Sequence, residues 1–559
     1  MTSKTVLLPK LTVSLMLCLG LLSQASLAQA QERAELEQVQ ATTQALLDAL
    51  VESGLLSRDK VNALLAAAKA KAKSAPDLTA ASALAQPDVG KDGKKIVRVP
   101  YVTEAVKIEM RDQIKREVLV QARNERWGEP GATPEWTNRI KVEGDFRLRE
   151  EAVRLSADNT APGLGTFANG DLTRAADIAT GKGSNTLGIP NFNTQDDYER
   201  LRLRARVGVT ATISDEVTAA VRLSTGGTTD RTSTNQTLGQ SFNKYSVVVD
   251  QAYVTLKPTP ELSLSGGRLP NPFFSTDLVW ADDLGFEGVA ASYQKPVFTN
   301  GNGFLAAGYF PLSADVPGTT GARSLLGVQG GIDVKLPGNG NQLKLGLALY
   351  DYRGIEGNKE DTLAQTTTPN YSTRYEYPAG FRQRGNTLFR VNAAGDTGSS
   401  IYGLASSFRE LNLTAALDLP NLLSKPVRVT ADYVKNLAFN RGEMLDRTGV
   451  AVTDGVDYGY LAKVQMGPTQ LHRGDWNMSL AYRYLGSDAV LDAFTNSDFG
   501  LGGTNNKGLI LGVNYGLYNN TLLSARWMSA NPIDSYAPGL ATATKLSVDT
   551  IQIDLTTRY

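Results

Sequence analysis

From residue 139 to its end, the chain alternates apolar and polar side chains in one short segment after another. In the last of these segments, Ile551 and Ile553 alternate with Gln552 and Asp554. An extended strand places successive side chains on opposite faces, so each segment would have one apolar and one polar face, whereas a helix would mix the two classes around its surface. The pattern therefore predicts an all-β fold for this part of the chain.

About sixteen such segments can be traced by their period of two. Their predicted spans are residues 139–149, 197–213, 216–224, 245–257, 261–268, 285–294, 303–310, 325–336, 341–352, 405–418, 426–436, 456–467, 475–485, 507–518, 521–530 and 546–559. The links alternate between long, such as residues 353–404, and short, such as residues 519–520. This alternation is typical of an antiparallel transmembrane β-barrel with its loops at one end and its turns at the other. A secreted β-sandwich or solenoid is the alternative.

A sheet that spans a bilayer must close, because lipid cannot satisfy the backbone N–H and C=O groups of an open edge. We therefore expect the first and last strands to pair, with an apolar exterior and a polar interior. A barrel of about sixteen strands is wider than its inward side chains can fill, so it leaves an aqueous channel.

The first 30 residues have the features of a secretory signal peptide: Lys4, Lys10, an apolar stretch at residues 11–22 and a small-residue site at residues 28–30. Its removal would take away Cys18, the only cysteine, which excludes disulfides, thiolate metal sites and a cysteine nucleophile from the mature chain. It would also leave 55 basic and 57 acidic residues, a balance that gives no reason to expect nucleic acid as a partner.

The residues between the signal peptide and the strands are predicted to be helical. Apolar residues spaced by three and four positions predict a helical hairpin or a short coiled coil at residues 31–75. Residues 76–137 are predicted to form a linker and a helix at about residues 103–126, and residues 138–559 the barrel. We expect this N-terminal extension to lie in the periplasm.

The second predicted strand carries four arginines at alternate positions: Arg200, Arg202, Arg204 and Arg206. Because an arginine facing lipid at the membrane midplane would cost about 2–4 kcal/mol, these side chains are expected to line the pore. The neighbouring strands add the further pore-lining candidates Arg147, Arg149 and Arg222. These permanent charges would attract anions or orient polar solutes. The alternative is a structural role, in which inward acids such as Glu143, Asp145 and Asp554 neutralise the arginines.

The link at residues 269–284, LPNPFFSTDLVWADDL, is rich in proline and aromatic residues that would be poorly solvated in an exposed loop. We therefore expect it to fold into the lumen as a constriction. Its candidate residues are Pro270, Asn271, Pro272, Phe273, Phe274, Trp280, Asp282 and Asp283. The two aspartates would face the arginines and create a transverse field that favours polar solutes. The alternative is a loop packed on the outer rim or on a neighbouring subunit.

No pattern typical of an enzyme emerges from the sequence. His472, the only histidine, falls in a predicted short turn, and no serine or acid is spaced to complete a catalytic triad. Asp488, Asp492 and Asp498 are conceivable calcium ligands, although their spacing does not match an EF-hand. We therefore predict no catalytic residues, no cofactor and no metal site.

Several stretches resemble a family of porins from proteobacterial outer membranes that is distantly similar to the phosphate-selective porins. They are LLDALVESGLLSRDKVNALL, VRVPYVTEAVKIEMRDQIKREV, WTNRIKVEGDFRLREE, STNQTLG, VDQAYV, GGRLPNPFFSTDLVWADDLGFEGVA and GSDAVLDAFTNSDFGLGGTNNKG. The resemblance implies a monomeric or homotrimeric outer-membrane porin with passive transport. It also implies recognition by the barrel-assembly machinery through the C-terminal strand, although such barrels usually end in phenylalanine and this chain ends in Tyr559.

The predicted function is thus an outer-membrane porin whose water-filled channel passes small hydrophilic solutes, with a preference for anions. The alternative is an envelope-tethering or adhesive barrel without an open pore. Expected partners are outer-membrane lipid, the solutes or anions themselves, further copies of the chain in a homotrimer, and the assembly machinery.

Overall fold

The computed structural model describes residues 139–159, 193–314, 321–338, 340–359, 374–378, 380–392, 401–422, 424–449, 451, 454–534 and 545–559, with residues 88–89, 95–96, 111, 113–115 and 117–118. The chain divides into two compact units, Met1–Gln121 and Ala122–Tyr559. In the first unit, Asp88–Val89 pairs with Lys95–Ile96. The described residues from 111 to 118 are helical and fall within the helix predicted for residues 103–126. The predicted signal peptide and helical hairpin lie outside the described residues.

The second unit contains a closed antiparallel barrel with sixteen long strands in the part of the chain that the structure describes. They are β1 Ile140–Leu155, β2 Tyr198–Thr212, β3 Val217–Thr225, β4 Val247–Thr259, β5 Leu262–Leu269, β6 Phe286–Phe298, β7 Gly301–Ser313, β8 Arg323–Lys335, β9 Gln342–Arg353, β10 Arg409–Leu419, β11 Val427–Asn436, β12 Tyr458–Met466, β13 Trp476–Leu485, β14 Asn506–Tyr518, β15 Thr521–Pro532 and β16 Val548–Arg558. Each strand pairs with the next along the chain. The predicted number of strands and their order are confirmed.

Closure of the barrel occurs between β16 and β1, as expected for a sheet that must have no edge in lipid. Leu555 lies opposite Leu148, and Asp554 lies opposite Arg149. Beyond the last paired residue of β16, the backbone of Tyr559 exchanges two hydrogen bonds of 3.1 Å with that of Gly144. The C-terminal residue therefore takes part in closing the barrel.

Several strand bounds lie a few residues from the predicted ones, and β1 and β4 show two further differences. β1 continues to Leu155, six residues beyond its predicted end, because Glu150 and Glu151 interrupt the apolar alternation without ending the strand. β4 contains an irregularity opposite Arg222 and Leu223, where Asp250 has no partner in the register. A bulge of this kind shifts the side-chain alternation, so no single period fits residues 245–257.

The outward face of the barrel is apolar. Leu347 is 53% exposed and Leu413 is 48% exposed, and both project from the sheet toward the position of the lipid. Stacked tyrosines cover β11 to β13 on this face: Tyr433, Tyr458, Tyr460, Tyr482 and Tyr484. Among the described residues, no helix is long and apolar enough to cross a bilayer.

The long links lie at one end of the barrel, which we call the long-loop end, and several of them fold inward. These are L2 (residues 226–246), L3 (residues 270–285), the described parts of L5 (residues 354–408) and L7 (residues 486–505). The apolar residues of L3 and L7 form the main buried cluster together with inward residues of the strands. L6 (residues 437–457) instead contains the helix α1, Arg441–Thr448, whose first turn is capped by the side chain of Asn440. The hydrophobic core therefore lies inside one end of the barrel.

Candidate functional site

The four arginines of β2 face the lumen. Arg202 and Arg204 are 8% and 9% exposed. Leu201, on the opposite face of the same strand, is 48% exposed on the outer surface of the barrel. The apolar and charged faces of β2 are thus separated by the strand period alone. The arginines can avoid lipid only by pointing inward, and they do so along the whole strand.

Carboxylates of β1 and L3 bind the two arginines nearest the short-turn end. Asp145 accepts hydrogen bonds from Nε of Arg204 at 2.9 Å and from Nε of Arg206 at 2.6 Å. Asp283 of L3 lies 3.4 Å from Nη1 of Arg204 and 3.0 Å from Nη1 of Arg206. One predicted constriction residue therefore binds the predicted pore-lining arginines directly. Glu143, which we expected to neutralise them, instead pairs with Lys141.

Glu151, which the sequence did not single out, binds the other two arginines of β2. It accepts a hydrogen bond of 2.7 Å from Nε of Arg200 and lies 3.4 Å from Nη1 of Arg202. Gln552 of β16 donates a further hydrogen bond of 2.9 Å to the same carboxylate. Arg202 has one additional long contact, of 3.5 Å, with Oγ of Ser233 in L2.

Arg149 of β1 is nearly buried and joins three parts of the fold. Its Nε and Nη2 atoms donate to Asp554 of β16 at 2.7 and 2.8 Å, and its Nη1 atom lies 3.0 Å from Asp498 of L7. Arg526 of β15 binds the same oxygen of Asp498. Burial opposes ionisation of Asp498, but the positive charges of Arg149 and Arg526 outweigh it and hold the pKa of this carboxyl well below its usual range.

Arg147 and Arg222 occupy different environments from the other predicted pore-lining arginines. Nη2 of Arg147 donates to Oδ1 of Asn235 in L2 at 2.5 Å, and no carboxylate of the described residues lies within salt-bridge distance of it. Arg222 of β3 instead donates a hydrogen bond of 2.6 Å to Asp250, the unpaired residue of the β4 irregularity.

L3 lies inside the barrel and is attached to two walls. Its Phe274 N–H donates to Oε1 of Gln329 at 2.7 Å, and Nε2 of Gln329 donates back to the Phe274 carbonyl at 2.7 Å. On the other side, Thr276 donates to Asp432 of β11 from both its backbone N–H, at 3.2 Å, and its hydroxyl, at 2.6 Å. A loop attached to both β8 and β11 crosses the lumen.

Glycines of the wall leave room for the aromatic residues of L3. A Cβ atom at Gly327 would lie 2.4 Å from the ring of Phe273, and one at Gly346 would lie 3.1 Å from the ring of Phe274. Lys344 of β9 lies 4.5 Å from the centre of the Phe274 ring, which adds a cation–π contact. The NPFF segment therefore has a matching surface on β8 and β9.

The remaining candidates of L3 divide into structural and lumen-facing residues. Asn271 forms a turn by accepting a hydrogen bond from the Phe273 N–H at 2.9 Å, between an exposed Pro270 and a half-buried Pro272. Trp280 is 2% exposed and packs edge-on against Tyr350, with ring centres 5.0 Å apart.

Asp282 is the predicted constriction residue that most clearly faces open space. Its side chain is exposed, and no residue of the described chain forms a salt bridge or hydrogen bond with it. Its neighbour Asp283, in contrast, is bound by the arginines of β2 and by the hydroxyl of Thr234 at 3.3 Å. The two aspartates of L3 therefore have different environments.

L7 and L2 complete the inner surface, and sequence reasoning did not identify them. The Ala281 N–H of L3 donates to the Phe494 carbonyl of L7 at 2.8 Å, and Asn496 donates to Asp277 at 2.6 Å. Ser497 of L7 in turn contacts L2, through the Thr232 carbonyl at 3.3 Å. The one available signal was the apolar AVLDAF run in L7, which would be as poorly solvated in water as the aromatic residues of L3.

Among the described residues, the inward loops leave cavities between themselves and the barrel wall. A cavity of about 620 Å³ lies between L2, L3 and the ends of the strands from β4 to β8. A second, of about 330 Å³, is lined by Arg200 and Arg202. The third, which we call the inner cavity, measures about 540 Å³ and is lined by Arg147 and Asp282 among others. Ser233 lines all three cavities, so they adjoin one another near this residue.

The acids considered as calcium ligands each have separate partners. Asp488 accepts a hydrogen bond of 2.7 Å from Thr387, Asp492 binds the Tyr377 hydroxyl, and Asp498 binds arginines. Within the described ranges, no group of three or more His, Cys, Asp or Glu side chains is arranged to hold a metal ion. His472 lies in a short turn, where its backbone N–H donates to Asp475 at 3.0 Å.

A comparison with protein families identifies the family of the chain. Residues 40–559 match the family described as Putative porin. The chain belongs to this family. The resemblance noted in the sequence is thereby confirmed, and the porin is an outer-membrane channel for small solutes. Membership in a family of channels favours an open pore over a purely adhesive barrel.

Solved structures of outer-membrane proteins are similar to this porin at low identity. The channel DcaP of Acinetobacter baumannii is 11% identical, with 75% of this chain and 97% of that chain covered and a TM-score of 0.37. OprB of Pseudomonas putida is 10% identical, with 77% and 96% covered and a TM-score of 0.41. An anion-selective porin from Comamonas acidovorans is 12% identical, with 75% and 99% covered and a TM-score of 0.36. No curated protein matches the chain.

Proposed function

We propose that this porin passes small hydrophilic solutes with a moderate preference for anions, and that an arginine wall sets this preference. The arginine wall consists of the inward arginines of β1, β2 and β15: Arg147, Arg149, Arg200, Arg202, Arg204, Arg206 and Arg526. The carboxylates that bind it, among the described residues, are Asp145, Glu151, Asp283, Asp498 and Asp554.

The observation that carries the proposal is the surplus of positive charge on this wall. Seven arginines meet five carboxylates, and Arg147 forms no salt bridge with any acid in the part of the chain that the structure describes. The surplus lies on one side of a lumen whose protein walls have a low dielectric constant, which concentrates the electric field in the water between them. Anions passing the wall are therefore stabilised relative to cations.

L3 supplies the opposite sign across the same space. Asp282 lines the inner cavity with Arg147, and Asp277 lies beside it on the loop. The resulting field runs across the pore from the wall to L3, and it turns solutes with a dipole moment as they enter. The candidate constriction residues of L3 thus have a second role beside narrowing the path.

Reversal potentials in a potassium chloride gradient across planar bilayers test the anion preference. Wild-type channels are expected to be more permeable to chloride than to potassium. Arg147→Gln removes one surplus charge, keeps a donor for Asn235 and leaves no carboxylate unpaired. It is therefore expected to shift the permeability ratio toward potassium.

The matched control removes a pair of opposite charges. Arg204→Gln combined with Asp283→Asn leaves the surplus unchanged, so its permeability ratio is expected to stay close to that of the wild type. A wild-type channel that prefers potassium, or an Arg147→Gln channel with the wild-type ratio, would refute the role of the arginine wall. Folded protein that never shows stable open steps would instead favour an envelope-tethering or adhesive barrel without an open pore.

The proposal extends to the surroundings of the barrel. The apolar outer face suits outer-membrane lipid, and the pairing of Tyr559 with Gly144 makes the C-terminal strand available for the assembly machinery only before closure. We place the helices predicted for residues 31–137 in the periplasm. Chemical crosslinking of the folded protein in detergent tests the proposed homotrimer, which would give a three-chain product.

A further inference from the structure

The inner cavity is lined by charged side chains of both signs, and most of them are paired with one another. Its arginines Arg149, Arg204, Arg428 and Arg526 bind Asp554, Asp283, Asp418 and Asp498 respectively. A guanidinium group bound by a carboxylate of the protein contributes little net charge to a passing solute. The charges that remain unpaired therefore decide what the cavity attracts.

The unpaired charges of the cavity have both signs. Arg147 of β1 and Lys463 of β12 have no carboxylate within salt-bridge distance, and Asp282 of L3 has no basic partner, among the residues that the structure describes. Nε of Arg147 is also buried without a hydrogen-bond acceptor. The carboxylate of Asp277, next to them, accepts a hydrogen bond from the neutral Asn496 side chain and forms no salt bridge with a described residue.

The cavity also has an apolar surface. Leu461 of β12 and Ala481 of β13 are each 4% exposed, and Ile510 of β14 lies beside them on the inward face. Apart from the charged residues, most of the remaining lining is small and polar, as at Ser479, Ser497 and Thr430. A volume of about 540 Å³ falls within the range of about 300–1,000 Å³ that is ordinary for small-molecule sites.

We propose that the inner cavity binds small zwitterions, with α-amino acids that have a short aliphatic side chain as the fitting class. The carboxylate contacts Arg147, the ammonium group contacts Asp282, and the aliphatic side chain lies toward Leu461. A simple anion would satisfy Arg147 but would face the unpaired Asp282, whereas a zwitterion satisfies both. The inference rests on the proposed function in one respect, because it requires that solutes pass through this lumen.

Uptake of radiolabelled L-valine into proteoliposomes containing the full-length porin tests this proposal. Three analogues compete with it: valinamide, which lacks the carboxylate, N-acetylvaline, which lacks the ammonium group, and N-acetylvalinamide, which lacks both charges. We expect valine uptake to saturate with concentration. Each analogue with one charge should compete about tenfold less well than unlabelled valine, since one charge-assisted contact is lost. The uncharged analogue should compete least.

Asp282→Asn and Arg147→Gln each remove one of the two contacts, and each is expected to make half-saturation by valine about tenfold weaker. Uptake of uncharged N-acetylglycinamide measures how much folded, open channel each preparation contains, and the valine uptake of every variant is expressed relative to it. The matched controls are Asp333→Asn and Lys335→Gln. They also remove one negative and one positive charge, but on β8, at positions that line none of the three cavities. These controls are expected to retain wild-type valine uptake.

Valine uptake that rises linearly with concentration, or equal competition by all three analogues, overturns the proposal. So does wild-type half-saturation in either Asp282→Asn or Arg147→Gln. This failure is distinct from failure of the anion preference, because the reversal potential measures the charge surplus of the whole wall and requires no binding in the cavity.

Discussion

Among single residues, two glycines of the barrel wall determine how closely L3 approaches β8 and β9. The φ angle of Gly327 is not positive, so an alanine there would meet no backbone strain. Its Cβ atom would, however, lie 2.4 Å from the ring of Phe273, which no real contact allows. The glycine is therefore required by the aromatic residue of the loop and not by the conformation of the strand.

Gly327→Ala is predicted to push Phe273 and the rest of L3 toward the lumen. Overpacking of this kind costs about 1–3 kcal/mol when the neighbour cannot move, and here the loop is the part that can move. We expect a lower single-channel conductance in planar bilayers with little loss of folded protein. Adding Phe273→Leu should restore most of the conductance.

Gly330→Ala is the control for this prediction, because a Cβ atom at that position would meet only the flexible Leu305 side chain, at 3.2 Å, on the outer face. Its conductance is expected to equal that of the wild type. Equal conductance of Gly327→Ala and the wild type would mean that the fit between Phe273 and the wall does not position L3.

Among the loops and strands, L7 is held to the arginine wall by one carboxylate, that of Asp498. Arg149 and Arg526 lower its pKa, so its ionised form stabilises the folded state at neutral pH. A lowered pKa in the folded state means that this stability is present above the ordinary pKa of aspartate, about 3.9, and is lost as the pH falls below it. The position of L7 thus depends on an acid that stays ionised.

A gel-shift assay gives the temperature at which the folded band converts to the unfolded band. For the wild type, this temperature is predicted to be lower at pH 3 than at pH 6, because unfolding at low pH lets Asp498 bind roughly one proton. Asp498→Asn should already be destabilised at pH 6, by about 1.5–3 kcal/mol for hydrogen bonds to charged groups, and should respond less to acid. Asp475→Asn, in a short turn, should follow the wild-type curve. An Asp498→Asn protein as sensitive to acid as the wild type would contradict the prediction.

The strands and loops also differ in how far the sequence could predict them. The strands follow from the period of two, because lipid and water on opposite faces impose it on nearly every segment. L3 could be expected inside the barrel because its prolines and aromatic residues are poorly solvated. L7 is rich in glycine, asparagine and serine around its AVLDAF run, and that composition is equally suited to a solvated loop.

The acidic partners of the arginines could likewise be predicted from the sequence only in part. Asp554 could be named as a partner of the wall because the first and last strands of a barrel must pair, which brings it to Arg149 across 405 positions of sequence. Asp498 could not be named, because a loop has no register that fixes which strand it meets. Glu151 was missed because β1 was expected to end before it.

In the molecule as a whole, closure of the barrel depends on the contact of the last residue with β1. The ring of Tyr559 covers Gly144, and a Cβ atom there would lie 2.5 Å from the tyrosine hydroxyl and 2.4 Å from the backbone carbonyl of Arg206. The tyrosine could turn away, but the carbonyl belongs to the paired strand β2 and cannot. Gly144 therefore lies where three strands of the closed barrel meet without space for a side chain.

Gly144→Ala is predicted to impair closure and to reduce the fraction of protein that folds into lipid vesicles, with a loss of about 1–3 kcal/mol in the free energy of unfolding in guanidinium. Tyr559→Phe keeps the ring and both backbone hydrogen bonds, so it should fold like the wild type. Gly208→Ala is the matched control in β2, because its Cβ atom would have its nearest contact at an ordinary 3.6 Å. If Gly144→Ala folds as well as Gly208→Ala, the first and last strands tolerate a wider separation than this packing implies, and closure must be determined by the backbone hydrogen bonds alone.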